Sequence, residues 1–265
     1  MSEDGAGEAG RIAAFFDVDH TLIDVNSGAK WLGYMWRTGQ VSLREAVVSL
    51  GWLLRYRLAL LDLEAVTAIA AETYRGVSVA TIEAAVREWF AREIAGRVCV
   101  EGRSKVAEHL AQGHVVALLT AGTRFSATPL AELLGVEHVL CTDMAVNAGG
   151  TLTGKHLAPA CAGPGKVVHA ERFAALHGID LARSYFYTDS FSDLPMLERV
   201  GQPRVINPDR RLQRRATVRG WPVERWRSPQ PEKPARGKPN ERVEAAPAEA
   251  APPEAGEQPE RKDRQ

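Results

Sequence analysis

The sequence predicts an α/β protein: a parallel sheet with helices on both faces, an all-helical insert and a disordered C-terminal tail. Three observations predict it. After residue 95, short apolar runs alternate with helical segments, the rhythm of a parallel sheet covered on both sides. Over residues 27–94 that rhythm stops and the pattern is almost wholly helical. From residue 228 onward the aromatics vanish and eight of the chain's fifteen prolines gather among Glu, Ala, Lys and Arg. Such a segment buries too little apolar surface to offset its ordering entropy.

Residues 12–16 are a short apolar run ending at Asp17, which reads as a buried strand. The block 27–94 fits four helices, broken near Gly39, over 59–61 and at Arg75-Gly76. Ser42-Leu43-Arg44-Glu45 has the form of a capping box, and Asp62 and Ser78 are further N-caps. Trp31, Tyr34, Trp36, Trp52 and Trp89 lie in this block. They read as core aromatics, or as the lining of an apolar substrate pocket. A helix follows over 104–112, stopped by Gly113, then a buried strand over 115–119. A helix over 125–134 ends at Gly135, and 138–141 is a short strand. Residues 144–153, with Asn147-Ala148-Gly149-Gly150 inside, read as a hairpin. The remaining elements are a helix over 166–177 ending at Gly178, a strand over 185–187, a helix over 193–200, a last strand over 204–206 and a last helix over 209–219. Residues 1–10 are then a flexible N-terminus. Residues 11–26 and 95–227 form a Rossmann-like core, 27–94 an inserted cap, and 228–265 the disordered tail.

The bulk properties narrow the function. Formal net charge is zero, so there is no general attraction to nucleic acid or to an anionic membrane. Three scattered cysteines, Cys99, Cys141 and Cys161, speak against a disulfide framework and a zinc site. Residues 1–10 are polar and acidic, unlike a signal peptide. The apolar stretch 47–63 is interrupted by Arg55, Arg57 and Asp62, so it reads as buried helix and not as a membrane span. A cytoplasmic protein is the expectation.

Ligand sites in such sheets lie at the carboxyl ends of the strands. The residues that follow the predicted strands are Asp17-Val18-Asp19-His20-Thr21, then Thr120-Ala121-Gly122, then Thr188-Asp189-Ser190-Phe191-Ser192-Asp193. Lys166 opens a helix after Gly163-Pro164-Gly165, a tight turn aimed at the same edge; Lys155 is the rival for its place. Four carboxylates together repel unless a cation sits among them. Oxygen ligands without His or Cys select a hard ion, Mg²⁺ before others. Lys166 and the Thr120 hydroxyl would then face an anion, and the site suits a phosphate.

These residues resemble the haloacid dehalogenase superfamily, and specifically its phosphoserine-phosphatase-like subclass IB. Asp17-Val18-Asp19-His20-Thr21 matches the first motif, Thr120 the second, Lys166 the third, and Asp189 to Asp193 with Leu194-Pro195 the fourth. The resemblance implies a helical cap of C1 type. It implies a Mg²⁺-dependent phosphatase acting on a small phosphorylated molecule through an aspartyl-phosphate. Asp17 would be the nucleophile and Asp19 the general acid and base. Mg²⁺ would be held by the Asp17 carboxylate, the Asp19 carbonyl and Asp189, with Asp193 supporting its water shell and pairing with Lys166. Thr120, Ala121, Gly122 and Lys166 would bind the phosphoryl group. Phosphotransfer to another acceptor, and phosphometabolite binding without turnover, are the alternatives. Phosphoserine phosphatases carry a Glu where Asn26 stands here, and a neutral amide holds an ammonium less well. The apolar cap leaves room for a more hydrophobic leaving group, such as a glycerol or lipid phosphate. His20 departs from the Gly that many relatives have.

Overall fold

The computed structural model describes residues 10–41, 51 and 63–229. Most of the expected second cap helix, with the Ser42–Glu45 capping box, Trp52 and the Asp62 cap, lies outside the described residues. So do residues 1–9 and nearly all of the expected C-terminal tail.

Six parallel strands form the central sheet in the order β3-β2-β1-β6-β7-β8. They are β1 (Ala13–Phe16), β2 (Val115–Thr123), β3 (His138–Thr142), β6 (Tyr185–Thr188), β7 (Gln202–Ile206) and β8 (Val223–Glu224). β1 lies at the centre, with Phe16 beside Leu118 of β2 and Tyr187 of β6. Its side chains alternate between two cores: Ala14 and Phe16 join one apolar cluster, Ala13 and Phe15 the other. All four are fully buried, which is why the strand reads as an unbroken apolar run.

Crossover helices cover both faces: α4 (Val100–Ala111), α5 (Arg124–Leu134), α6 (Pro164–His177), α7 (Leu194–Arg199) and α8 (Arg210–Arg219). Gly135, Gly178 and Gly220 end three of them in the left-handed conformation, the usual glycine stop. Three expectations need correction. The strand expected over 115–119 runs on to Thr123, so Thr120, Ala121 and Gly122 lie within it and not after it. The strand over 204–206 is not the last, because Val205 pairs with Val223 to add β8 at the edge. A two-residue edge strand has too short a pattern to be seen. The helix expected from Ser104 starts at Val100, and no side-chain cap marks that start.

The insert after β1 contains α1 (Ser27–Arg37), α2 (Leu63–Glu72) and α3 (Val79–Trp89). Ser78 caps α3 through Thr81 N at 3.1 Å, as its position predicts. Trp31, Tyr34 and Trp89 are buried in the same cluster as Phe16 and Leu118. Trp36 is not a core residue: it is 47% exposed on the outer face of α1. The predicted hairpin forms as β4 (Met144–Val146) and β5 (Leu152–His156). It stands apart from the main sheet and bonds to the insert instead, where Gly76 N and Val79 N donate to Leu152 O and Gly150 O. Among the described residues, no helix is long and apolar enough to cross a membrane.

Candidate active site

The strand order reverses direction beside β1. From β1 the chain builds outward through β2 and β3, then returns to add β6 on the other side. The crevice at such a switch point is where open α/β sheets hold ligands. Asp17 directly follows β1 and Asp189 directly follows β6. All the residues expected in the site line one cavity of about 550 Å³ at this edge.

The centre of the cavity is a buried ion-pair network. Lys166 Nζ donates to Asp17 Oδ1 and to Asp193 Oδ2, each at 2.6 Å. Lys166 is only 2% exposed. Thr188 Oγ1 donates to the same Asp193 oxygen at 2.7 Å. Asp193 occupies the N-cap position of α7 but makes no cap bond, because its carboxylate is turned to Lys166 and Thr188. Lys155, the rival, is exposed on β5.

The Gly-Pro-Gly turn places Lys166. Gly163 adopts φ +52°, and Pro164 takes the first turn of α6, where its missing N–H costs nothing. Gly165 is irreplaceable: a Cβ there would stand 1.9 Å from the Ala160 carbonyl oxygen. Gly165→Ala is expected to cost at least ~2 kcal/mol and lower the melting temperature by about 5 °C. Thermal unfolding of the two proteins checks it.

Asp19 reaches the cavity from a turn. The strand stops at Phe16, and 17–20 bend, so strand alternation does not set its direction. Asp19 Oδ1 instead accepts from Ser27 N at 3.0 Å, at the start of α1. His20 has φ +56°. That is a left-handed backbone, which glycine adopts with less strain than other residues. Asn26 is the N-cap of α1, its Oδ1 accepting from Ala29 N at 2.8 Å. Thr120 is buried, and its Oγ1 accepts from Gly122 N at 3.1 Å. It does not cap α5, whose N-cap position is Thr123.

Two residues of the cavity wall escaped sequence reading. Asp209 caps α8 and accepts from Phe191 N at 3.1 Å, while its own N–H donates to Asp189 O. Arg211 lies over the Phe191 ring at 4.3 Å. Both follow β7 closely, so the strand-end rule applied to β7 would have found Asp209.

The carboxyls are strongly perturbed. Burial pushes Asp17 up; Lys166 pulls it back, Asp193 and Asp19 add to the rise, and the result is about 7. Burial, with Asp17 and Asp193 alongside, pushes Asp189 up to about 8. Burial pulls the Lys166 ammonium down, yet Asp17 and Asp193 outweigh it and the net shift is upward. Three buried acids thus share one buried base. Two carboxylates in excess fit a divalent cation, and oxygen donors fit a hard one. Among the described residues no three His, Cys, Asp or Glu side chains converge into a ready-made nest. Lys166 Nζ bonds two of these acids, Asp17 and Asp193.

A family model described as haloacid dehalogenase-like hydrolase matches residues 14–198. The chain belongs to that family. Haloacid dehalogenase-like phosphatases generally use Mg²⁺. A histidinol-phosphatase of Neisseria meningitidis is 28% identical over 214 residues, 79% of this chain and 96% of the relative. A phosphoserine phosphatase of Mycobacterium tuberculosis is 32% identical over 222 residues, 81% of this chain and 71% of the relative. The crystal structure of a Bordetella pertussis protein of unknown function superposes with a TM-score of 0.75 at 32% identity, covering 81% of this chain and 98% of that one.

Proposed function

We propose that the chain is a Mg²⁺-dependent phosphatase that hydrolyses a small or medium phosphomonoester through an aspartyl-phosphate on Asp17. The observation that carries this reading is the buried Asp17–Lys166–Asp193 network at the end of β1, with Asp19 on the wall of the same cavity. The family and the named phosphatases among its relatives support it.

Asp17 attacks phosphorus, an O–P bond forms, and the bond to the leaving oxygen breaks. Asp19 gives that oxygen a proton. In the second half Asp19 takes a proton from water, the water oxygen attacks phosphorus, and Asp17 is released. Splitting one displacement into two lowers each barrier. Lys166 holds the Asp17 carboxylate in place and offsets the charge that gathers as an anion meets an anion. Asp193, itself fixed by Thr188, is the positioning residue for Lys166. Thr120 and the backbone at Ala121 and Gly122 bind phosphoryl oxygens. Asp17, the Asp19 carbonyl and Asp189 would hold Mg²⁺, with Asp193 behind its water shell, and the ion would supply charge neutralisation at the phosphoryl group. Residues 27–94 act as the cap that excludes bulk water.

Hydrolysis of p-nitrophenyl phosphate tests this. Turnover with Mg²⁺ that disappears on chelation is expected. No turnover with Mg²⁺ present, or full turnover in Asp17→Asn, removes the mechanism. The raised carboxyls give a second check that needs no substrate. With Asp17 pushed up to about 7 and Asp189 to about 8, an added cation finds much more carboxylate at pH 8 than at pH 5. Mg²⁺ is therefore expected to raise the melting temperature by several degrees at pH 8 and by much less at pH 5.

A further inference from the structure

A second cavity, of about 270 Å³, opens off the first and shares Asp19, Asn26, Ala121 and Gly122 with it. Its far wall belongs to the cap. Trp31, Tyr74 and Trp89 form an aromatic face that packing has already fixed. Trp31 Nε1 donates to Tyr74 Oη at 2.8 Å, and the Trp31 and Trp89 rings meet edge to face at 5.3 Å. Ile82, Val86 and Phe125 extend the apolar lining. Among the described residues the titratable side chains lining it are Asp19, Tyr74 and His156, and His156 Nε2 lies 2.6 Å from Glu64 Oε2. Among the described residues lining it there is no Lys or Arg.

This placement assigns a side to each half of the substrate. Under the reading above, the leaving oxygen must touch Asp19, and Asp19 forms part of the partition between the two cavities. The phosphoryl group sits with Lys166, so the organic part extends into the aromatic cavity. Among the described residues of this lining, an amino-acid phosphate would find no Lys or Arg for its carboxylate, and its ammonium would lose water against the apolar part of the wall. A cavity of 150 Å³ holds a benzene ring, so about 270 Å³ holds a group of about ten non-hydrogen atoms. That is too small for the acyl chains of a lipid.

We infer that the leaving group is compact, uncharged and ring-bearing, seated against Trp31, Tyr74 and Trp89. The inference rests on the phosphatase reading and narrows its substrate class. It is tested with the full chain, Mg²⁺ and a set of primary-alcohol phosphates: phenethyl phosphate, phosphoserine, phosphoethanolamine, glycerol phosphate and dodecyl phosphate. Phenethyl phosphate is expected to exceed each of the others at least tenfold in kcat/KM. Ala70 is an exposed residue of α2 that also lines the cavity. Ala70→Trp is expected to fill it and lower the ratio of phenethyl phosphate to glycerol phosphate about tenfold, mostly through KM. A preference for phosphoserine, phosphoethanolamine, glycerol phosphate or dodecyl phosphate overturns the inference and leaves the phosphatase reading standing. If none of them, nor p-nitrophenyl phosphate, is hydrolysed, the phosphatase reading fails and the inference with it. The wild-type series decides even if the Ala70 variant does not fold.

Discussion

Asp17→Asn is expected to lower phosphatase turnover by at least ~10⁴-fold, because an amide oxygen cannot form the covalent intermediate. The fold should survive the change. Asn keeps an oxygen that accepts from Lys166 Nζ, and it replaces a carboxylate that burial already disfavours, with its carboxyl pushed up to about 7. The melting temperature is therefore expected to stay within a few degrees of wild type at pH 7. Single-turnover and steady-state assays with p-nitrophenyl phosphate, beside thermal unfolding of the same samples, check both halves. A variant that loses activity only because it unfolds would leave Asp17 as a structural residue.

Lys166→Met is expected to hurt activity and stability together, and its stability defect should depend on pH. The lysine is buried between Asp17 and Asp193, at 2.6 Å from each. Without it, three buried acids have no buried base. A fall of roughly 10³-fold in kcat/KM is expected from the lost electrostatic support. Removing one partner of such a network costs about 3–5 kcal/mol, or about 10 °C. The sign with pH follows from the carboxyls. Asp17 and Asp189 titrate near 7 and 8, above the range of the unfolded chain. Between about pH 4 and pH 8 the folded chain therefore holds protons that the unfolded chain has lost, and stability falls as pH rises. Lys166 lowers both carboxyls, so removing it moves the upper end of that window higher. The deficit against wild type should be small near pH 5 and largest near pH 8. Melting curves of both proteins across that range in metal-free buffer check it; a deficit independent of pH would mean that Lys166 acts by packing alone.

Particular residues show how far the sequence could be read. β1 was legible because both its faces are buried, so Ala13 to Phe16 form an apolar run. Asp17, Lys166 and Asp189 were legible because chemistry in this fold gathers at strand ends and helix starts, and those ends are marked by abrupt changes from apolar to polar; Thr120 was placed after a strand that in fact runs on to Thr123. Gly163 and Gly165 pointed to the turn that presents Lys166, since only glycine tolerates the positive φ at one and the 1.9 Å approach at the other. β8 was not legible, because two residues carry no period. The bond that orients Asp19 was not legible, because it joins the turn after β1 to the start of α1 through Ser27 N.

The sequence by itself determined the α/β class, the helical insert after β1 and the residue types of the site, because periodicity and punctuation are local properties of the chain. Only the tertiary structure decided which groups meet. It turned Asp193 to Lys166 and not to the helix it precedes, raised the carboxyls of Asp17 and Asp189, and opened an aromatic cavity beside Asp19. Those outcomes depend on burial and on distances between residues up to 149 positions apart, which no local pattern records.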